Sequence, residues 1–382
     1  MKPWNSHPAA QNCLPNLLLC RILRGDACSW PASDDVEFAR EFVELCLAEG
    51  VAPLVWHHAA AAPAWSEWPN AVRQALVRDT RMQAAIDLLR EQELIAALHA
   101  LEAAGIGAVL LKGTALAYSH YAAPGLRPRC DTDLLIAPGR KGAAARLLTS
   151  LGYQRSNAVS GTLITSADSY CKMDGIVAHV LDVHWRINNA QLFAQALSYE
   201  EVRARAVPVP ALGDGARALY PPHALLLACM HRAAHLGVDG EHGNRLLWLY
   251  DIQLLAKAMR ADEWREFSQL CVAKKMRAIT LDAFASLQAS LNTVIPADLM
   301  NQLALPKTKE LSAAYLKASH KRLLLTDLRA LATWRERLTL LRESCFPPAD
   351  YVMAKYHGEN RAWLSLWYVR RAVAGVWKLT KS

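Results

Sequence analysis

The run Asp131-Thr132-Asp133-Leu134-Leu135-Ile136 sets two carboxylates one residue apart at the head of an apolar stretch. Residues i and i+2 of a strand point to the same face, so Asp131 and Asp133 would project together from the start of a buried strand. Buried carboxylates are costly unless something pairs with them. The run Leu181-Asp182-Val183-His184-Trp185 repeats the pattern, with Asp182 and His184 sharing a face. If the two strands are neighbours, three carboxylates converge and repel one another. One or two divalent cations would relieve that repulsion. Hard oxygen ligands suit Mg2+, with Mn2+ as the alternative, held by a few carboxylates plus substrate phosphates. Two such ions can clamp the attacking and leaving oxygens of a phosphoryl transfer.

A phosphate cradle should lie nearby, and "LLKGTALA" supplies one. A short apolar strand ends at Lys112-Gly113-Thr114, and a helix then starts at Thr114. Gly113 would let the backbone approach a phosphate. The helix N-terminus would add free N–H groups, with the Thr114 hydroxyl and the Lys112 ammonium beside them. Lys112 precedes the glycine, so the run is not a P-loop, and neither G-x-G-x-x-G nor G-x-S-x-G occurs there.

The rest of the chain sets these strands in a helical context. Residues 34–62 carry a helical apolar period, with Ser33 as N-cap and a stop at Gly50. Further helices are expected over about 68–80 and 82–104, the second with an apolar stripe through Ile86, Leu88, Leu89, Leu94, Ile95, Leu98 and Leu101. Asp174-Gly175, between "SYCKM" and "IVAHVLDVHWRI", marks a two-residue hairpin. Residues 107–187 therefore form a small mixed sheet with helices, and the chain turns helical again from about 200. The fold class is α+β. The expected organisation is an N-terminal helical region (1–80), an α/β core (81–210), a helical lobe (211–300) and a basic, tryptophan-rich helical region (301–382).

Composition narrows the partners. The 382 residues carry a net charge of +8, which suits an anionic ligand without naming it. Nine scattered cysteines with no C-x-x-C pair argue for a reducing compartment. The apolar run "CLPNLLLC" holds a proline and makes a poor signal peptide. With no run long enough to span a membrane, the expectation is a cytoplasmic protein.

Strand, Gly-Thr turn, helix, D-x-D strand and a later Asp form the layout of the nucleotidyltransferase superfamily related to polymerase beta. More narrowly, "LLKGTALA…RPRCDTDLLI…LGY…LDVHW" with a later "NRLLWLYDIQLL" resembles the bacterial uncharacterised nucleotidyltransferases, the NTP-transferase-5 group, over roughly residues 40–260. The resemblance implies that Gly113 and Thr114 form the phosphate turn. It makes Asp131 and Asp133 the metal pair and Asp182 the third carboxylate. An NTP would then transfer NMP to an acceptor, a small molecule, sugar, peptide, protein or RNA, as in natural-product or polysaccharide tailoring. A kinase or a non-catalytic accessory protein on the same scaffold is the alternative. One departure is the 18 positions from Gly113 to Asp131, longer than in the wider superfamily.

That insert delivers Arg127 and Arg129, whose guanidinium forks suit phosphate. Arg129 could equally cap the loop or neutralise the aspartates. Asp182 has an alternative as a structural partner of Arg186, and His184 is either a general base or a hydrogen-bond partner of Asp182. His231 and His235 form an i, i+4 pair without the glutamate of a zinc H-E-x-x-H motif, so a structural or substrate-facing role is favoured. Asp251, a charge in an apolar helix, is expected to pair with His231, His235 or Arg245. The helical lobe carrying these residues would close over the nucleotide. The C-terminal stretch with Trp363, Trp367, Arg370, Arg371, Trp377 and Lys378 is expected to be a helix packed on the core, with membrane, nucleic-acid or protein contact as the alternatives.

Overall fold

The computed structural model describes residues 14–31, 35–156, 161–239, 244–304, 310–316, 320–356 and 363–381. Its centre is a seven-stranded mixed sheet. The strands are β1 (Val109–Leu110), β2 (Thr132–Leu135), β3 (Gln154–Arg155), β4 (Ala167–Asp174), β5 (Val177–His184), β6 (Val207–Pro208) and β7 (Arg217–Ala218). They lie in the order β3-β4-β5-β2-β1-β7-β6. β2 runs parallel to β5, with Asp133 directly opposite Asp182. The two carboxylate-bearing strands are thus neighbours. With helices on both faces, the fold is α+β.

The strand period of two sorts the side chains. Leu110, Leu134, Leu181 and Val183 enter one apolar core, shared with the helices Asn70–Ala103 and Lys141–Ser150. Val109, Leu111 and Leu135 enter a second, larger core. That core joins the N-terminal helices to the helices Pro221–Asp239, Leu246–Ala258 and Arg277–Leu291. Asp133 alternates with Leu134, and Asp182 and His184 alternate with Leu181 and Val183. The polar side chains therefore share the face turned toward the helices Pro221–Asp239 and Leu246–Ala258.

Several local expectations shift. Residues 70–103 form one helix of 34 residues rather than two, because Arg81, Met82 and Gln83 are good helix formers and no Gly or Pro interrupts them. Leu88 and Leu89 are exposed on it, whereas Asp87 is buried. The helix after residue 34 is capped by Asp35, whose carboxylate accepts from the N–H of Glu37 and Phe38; Ser33 lies outside the described residues. Gly50 separates that helix from the next, Ala52–Ala59. In the β4–β5 hairpin Asp174 pairs with Val177, so the two-residue loop is Gly175-Ile176, one position later than expected. Gly175 adopts φ 55° there, which a residue without Cβ accepts at no steric cost.

The C-terminal helix, Leu364–Lys381, differs from its expectation too. Trp367 stacks on Tyr356, and Tyr368 packs near Phe346. These contacts join it to other C-terminal helices and not to either main core. The eight described cysteines form no disulfide with one another, and no helix among the described residues is long and apolar enough to cross a membrane.

Candidate active site

The helix Lys112–Ser119 follows β1 without a side-chain cap. Its first residue, Lys112, has φ 48°, a left-handed conformation that costs a non-glycine residue about 1 kcal/mol. The side chain offsets that strain. Lys112 Nζ donates to Asp133 Oδ1 at 2.8 Å, and His184 Nε2 reaches the same oxygen at 2.8 Å. The carboxylate can only accept, so His184 Nε2–H is the donor. Burial works to raise the Asp133 pKa, but Lys112 and His184 outweigh it and hold the carboxyl well below the usual range.

Asp182 brings no such partner. Arg186, its alternative mate, bonds instead to Gln191 Oε1 and to the carbonyls of Leu163 and Thr165. Asp182 Oδ1 and His184 Nδ1 are buried with no hydrogen-bond partner. Asp133, Asp182 and His184 each offer a ligand atom within 4.8 Å of the others. A carboxylate oxygen of Asp182 and an imidazole nitrogen of His184 without partners, beside the Asp133 carboxylate, fit a divalent cation. Asp131 precedes β2, is exposed, and lines the same cleft without completing such a group. Although the residue is solvent-accessible, protein atoms crowding its carboxyl strip part of its hydration and raise its pKa, and the nearby Asp133 and Asp182 add to the rise.

The cleft has a volume of about 860 Å³ and lies between the sheet and the helices Pro221–Asp239 and Leu246–Ala258. Of the residues singled out in the sequence, Lys112, Gly113, Arg127, Arg129, Asp131, Asp133, Asp182, His184, His231, His235 and Asp251 all line it. Thr114 does not. It is 2% exposed, and its hydroxyl meets Thr132 Oγ1 at 3.1 Å and the Asp131 carbonyl at 3.3 Å, stapling the helix to β2. Gly113 lines the cleft and has a further use beside the one expected. A Cβ there would lie 3.0 Å from Arg127 Cζ and Nη1, so the missing side chain makes room for a guanidinium.

Both arginines of the insert are engaged. Arg127 forks onto Asp251, Nε to Oδ1 at 3.0 Å and Nη2 to Oδ2 at 2.7 Å. Tyr121 donates to the same Asp251 Oδ1 at 2.7 Å. Asp251 thus pairs with the insert and not with His231, His235 or Arg245. Arg129 pairs with buried Asp87 and donates to Tyr118 Oη at 3.2 Å, so it anchors the loop to the long helix and does not neutralise the strand aspartates. Burial raises the Asp87 pKa against the lowering effect of Arg129.

Across the cleft, the rings of His231, His235 and Trp248 cluster with centroids 4.5 to 4.9 Å apart. Burial drives the His231 pKa well below the imidazole range, and Lys112 and His235 push the same way. Its ring is neutral near pH 7. Arg90 and Trp248 also line the cleft, and sequence reasoning missed both. Arg90 has no local signal on a helix rich in charge. Trp248 could have been found from its place one turn from Asp251 on the helix packed against His231.

Paired carboxylates and an imidazole on adjacent strands, facing cationic side chains across a cleft, suit a divalent cation and a polyphosphate. The chain belongs to the family of uncharacterised nucleotidyltransferases, whose model matches residues 37–292. No curated protein and no solved structure matches it.

Proposed function

We propose that the chain is a metal-dependent nucleotidyltransferase that transfers NMP from an NTP to an acceptor. The observation that carries this is the in-register pair Asp133 and Asp182, with an orphaned carboxylate oxygen on Asp182 and His184 beside them. Asp133, Asp182 and His184 would hold Mg2+ or Mn2+, with Asp131 on the substrate side of the same cleft. When bound, the cation would supply charge neutralisation for the phosphates and for the leaving pyrophosphate.

The chain's own groups do the rest. Lys112, bonded to Asp133, can shift its ammonium to a phosphate when a cation takes over that carboxylate. Arg127, paired with Asp251, holds the shape of the cradle around Gly113. The sheet and the helical lobe enclose the reacting groups, which strengthens every electrostatic contact within. His231, His235 and Trp248 offer an aromatic wall for the nucleoside or the acceptor. An acceptor oxygen attacks the α-phosphorus, the bond to the bridging oxygen breaks, and pyrophosphate leaves. Positioning and charge stabilisation carry most of the rate.

The test is incubation with Mg2+ or Mn2+, each NTP labelled at the α- or the γ-phosphate, and cell extract as acceptor source. Transfer of the α-label with release of pyrophosphate is expected. Transfer of the γ-label alone would make the protein a kinase, and no transfer or binding with any NTP and either cation would remove the enzymatic role.

A further inference from the structure

Residues 320–382 hold 12 Lys and Arg against five Asp and Glu, a net +7 out of the chain's +8. Nearly all the charge imbalance of the protein therefore sits in its last sixth, beyond the family-matched residues 37–292. From Asn360 onward there is no acidic residue at all, and five basic ones: Arg361, Arg370, Arg371, Lys378 and Lys381.

The same segment exposes apolar side chains in ordered rows. On the helix Leu364–Lys381 and the residue before it, Trp363, Leu366, Val369 and Val373 are 60%, 54%, 60% and 64% exposed. Their spacing of three and four puts them on one stripe, with exposed Arg370 beside it. The opposite side of the helix carries Trp367 and Tyr368, which pack inward. On the helix Trp334–Cys345, Trp334 and Leu338 are also more than half exposed, as is Phe346 just after it. Isolated exposed apolar residues are ordinary, but contiguous rows rimmed by charge mark a contact surface.

We infer that these C-terminal helices dock the protein on an anionic lipid bilayer, with the stripe Trp363, Leu366, Val369 and Val373 entering the headgroup boundary. An amphipathic helix with aromatic and aliphatic residues on one face and only basic charge around it is the type that lies in a membrane interface, and anionic lipids attract such a basic cluster. The helix does not cross the bilayer. A second copy of the chain fits less well, since a symmetric pairing would set one acid-free basic helix against another. Nucleic acid fits less well too, because Leu366, Val369 and Val373 neither stack on bases nor bond to phosphate.

The surface is fixed to the catalytic unit. Glu343 on the helix Trp334–Cys345 accepts from the backbone N–H of Thr162, Leu163 and Ile164 at 2.8 to 2.9 Å. Asp327 accepts from Gln191 N at 2.8 Å. Both anchors lie beside Thr165 and Asn189, which line the cleft. Docking would hold that rim of the cleft close to the bilayer.

Cosedimentation of the full chain with phosphatidylcholine vesicles, with and without phosphatidylglycerol, tests the inference independently of any nucleotide chemistry. Binding to the anionic vesicles is expected, with much weaker binding to the neutral ones and a decline as salt rises. Leu366→Glu and Val369→Glu, both at exposed positions, should each weaken it roughly tenfold while leaving the thermal midpoint unchanged. The inference is overturned by no binding to anionic vesicles at physiological salt, by undiminished binding of both variants, or by a lipid-free dimer that Leu366→Glu dissociates. Displacement of vesicles by an RNA oligonucleotide that binds both variants as well as wild type would assign the surface to nucleic acid instead.

Discussion

Arg127 and Asp251, 124 positions apart, form a two-pronged buried ion pair at 3.0 and 2.7 Å, and the guanidinium of that pair lies where a side chain at position 113 would otherwise be. One contact thus ties the insert to the helical lobe and shapes the turn that carries Lys112. Breaking a buried pair from one side leaves an uncompensated charge, which costs about 3–5 kcal/mol. Asp251→Ala should lose stability of that order in urea unfolding.

Gly113→Ala probes the same contact from the cradle. Its Cβ would press on Arg127 at 3.0 Å, and Arg127 is held by Asp251 and cannot swing away freely. A stability loss of about 1–3 kcal/mol is expected for such overpacking, together with weaker NTP binding, read by unfolding and by a titration with labelled nucleotide. A glycine needed only for phosphate approach would lose binding with unchanged stability.

Arg129 should behave as an anchor. Its partner Asp87 is buried on the long helix. Arg129→Ala should cost about 3 kcal/mol or more, and Arg129→Lys should recover only part of it, because a single ammonium replaces a fork that also reaches Tyr118. Equilibrium unfolding of the two variants checks the order.

Asp182 separates function from stability. Its Oδ1 has no partner, and Asp133 faces it across the sheet. Without metal, Asp182→Asn keeps the shape of a half-buried side chain whose Oδ1 has no partner and should change stability by no more than about 1 kcal/mol. Mn2+ at about 100 times its Kd should stabilise the wild type by about 2.7 kcal/mol. Asp182→Asn should abolish that gain, as measured by thermal unfolding with and without Mn2+.

Much of the cleft was legible because strand periodicity is local. The alternation in "DTDLLI" and "LDVHW" fixes which side chains share a face, and two short apolar strands between helices have few partners other than each other. Pairing across the molecule left no such trace. Nothing near Asp251 points to Arg127, and nothing near Arg129 points to Asp87, since both contacts depend on where the insert folds back. Thr114 misled because a hydroxyl at a helix start serves a phosphate or a neighbouring strand equally well. Leu88 and Leu89 misled because a long helix turns one stripe through several environments, and at Asp87 the buried position is polar.

The central claim is that Asp133 and Asp182 hold a divalent cation that NTP binding requires. Its most direct test is equilibrium binding of NTP in the presence of Mn2+, Mg2+ or EDTA, for wild type and for Asp133→Asn with Asp182→Asn. Binding by the wild type only with a cation, and none by the doubly substituted protein while it still unfolds cooperatively, is the predicted result. NTP binding that survives EDTA, or that persists undiminished in the doubly substituted protein, would contradict it.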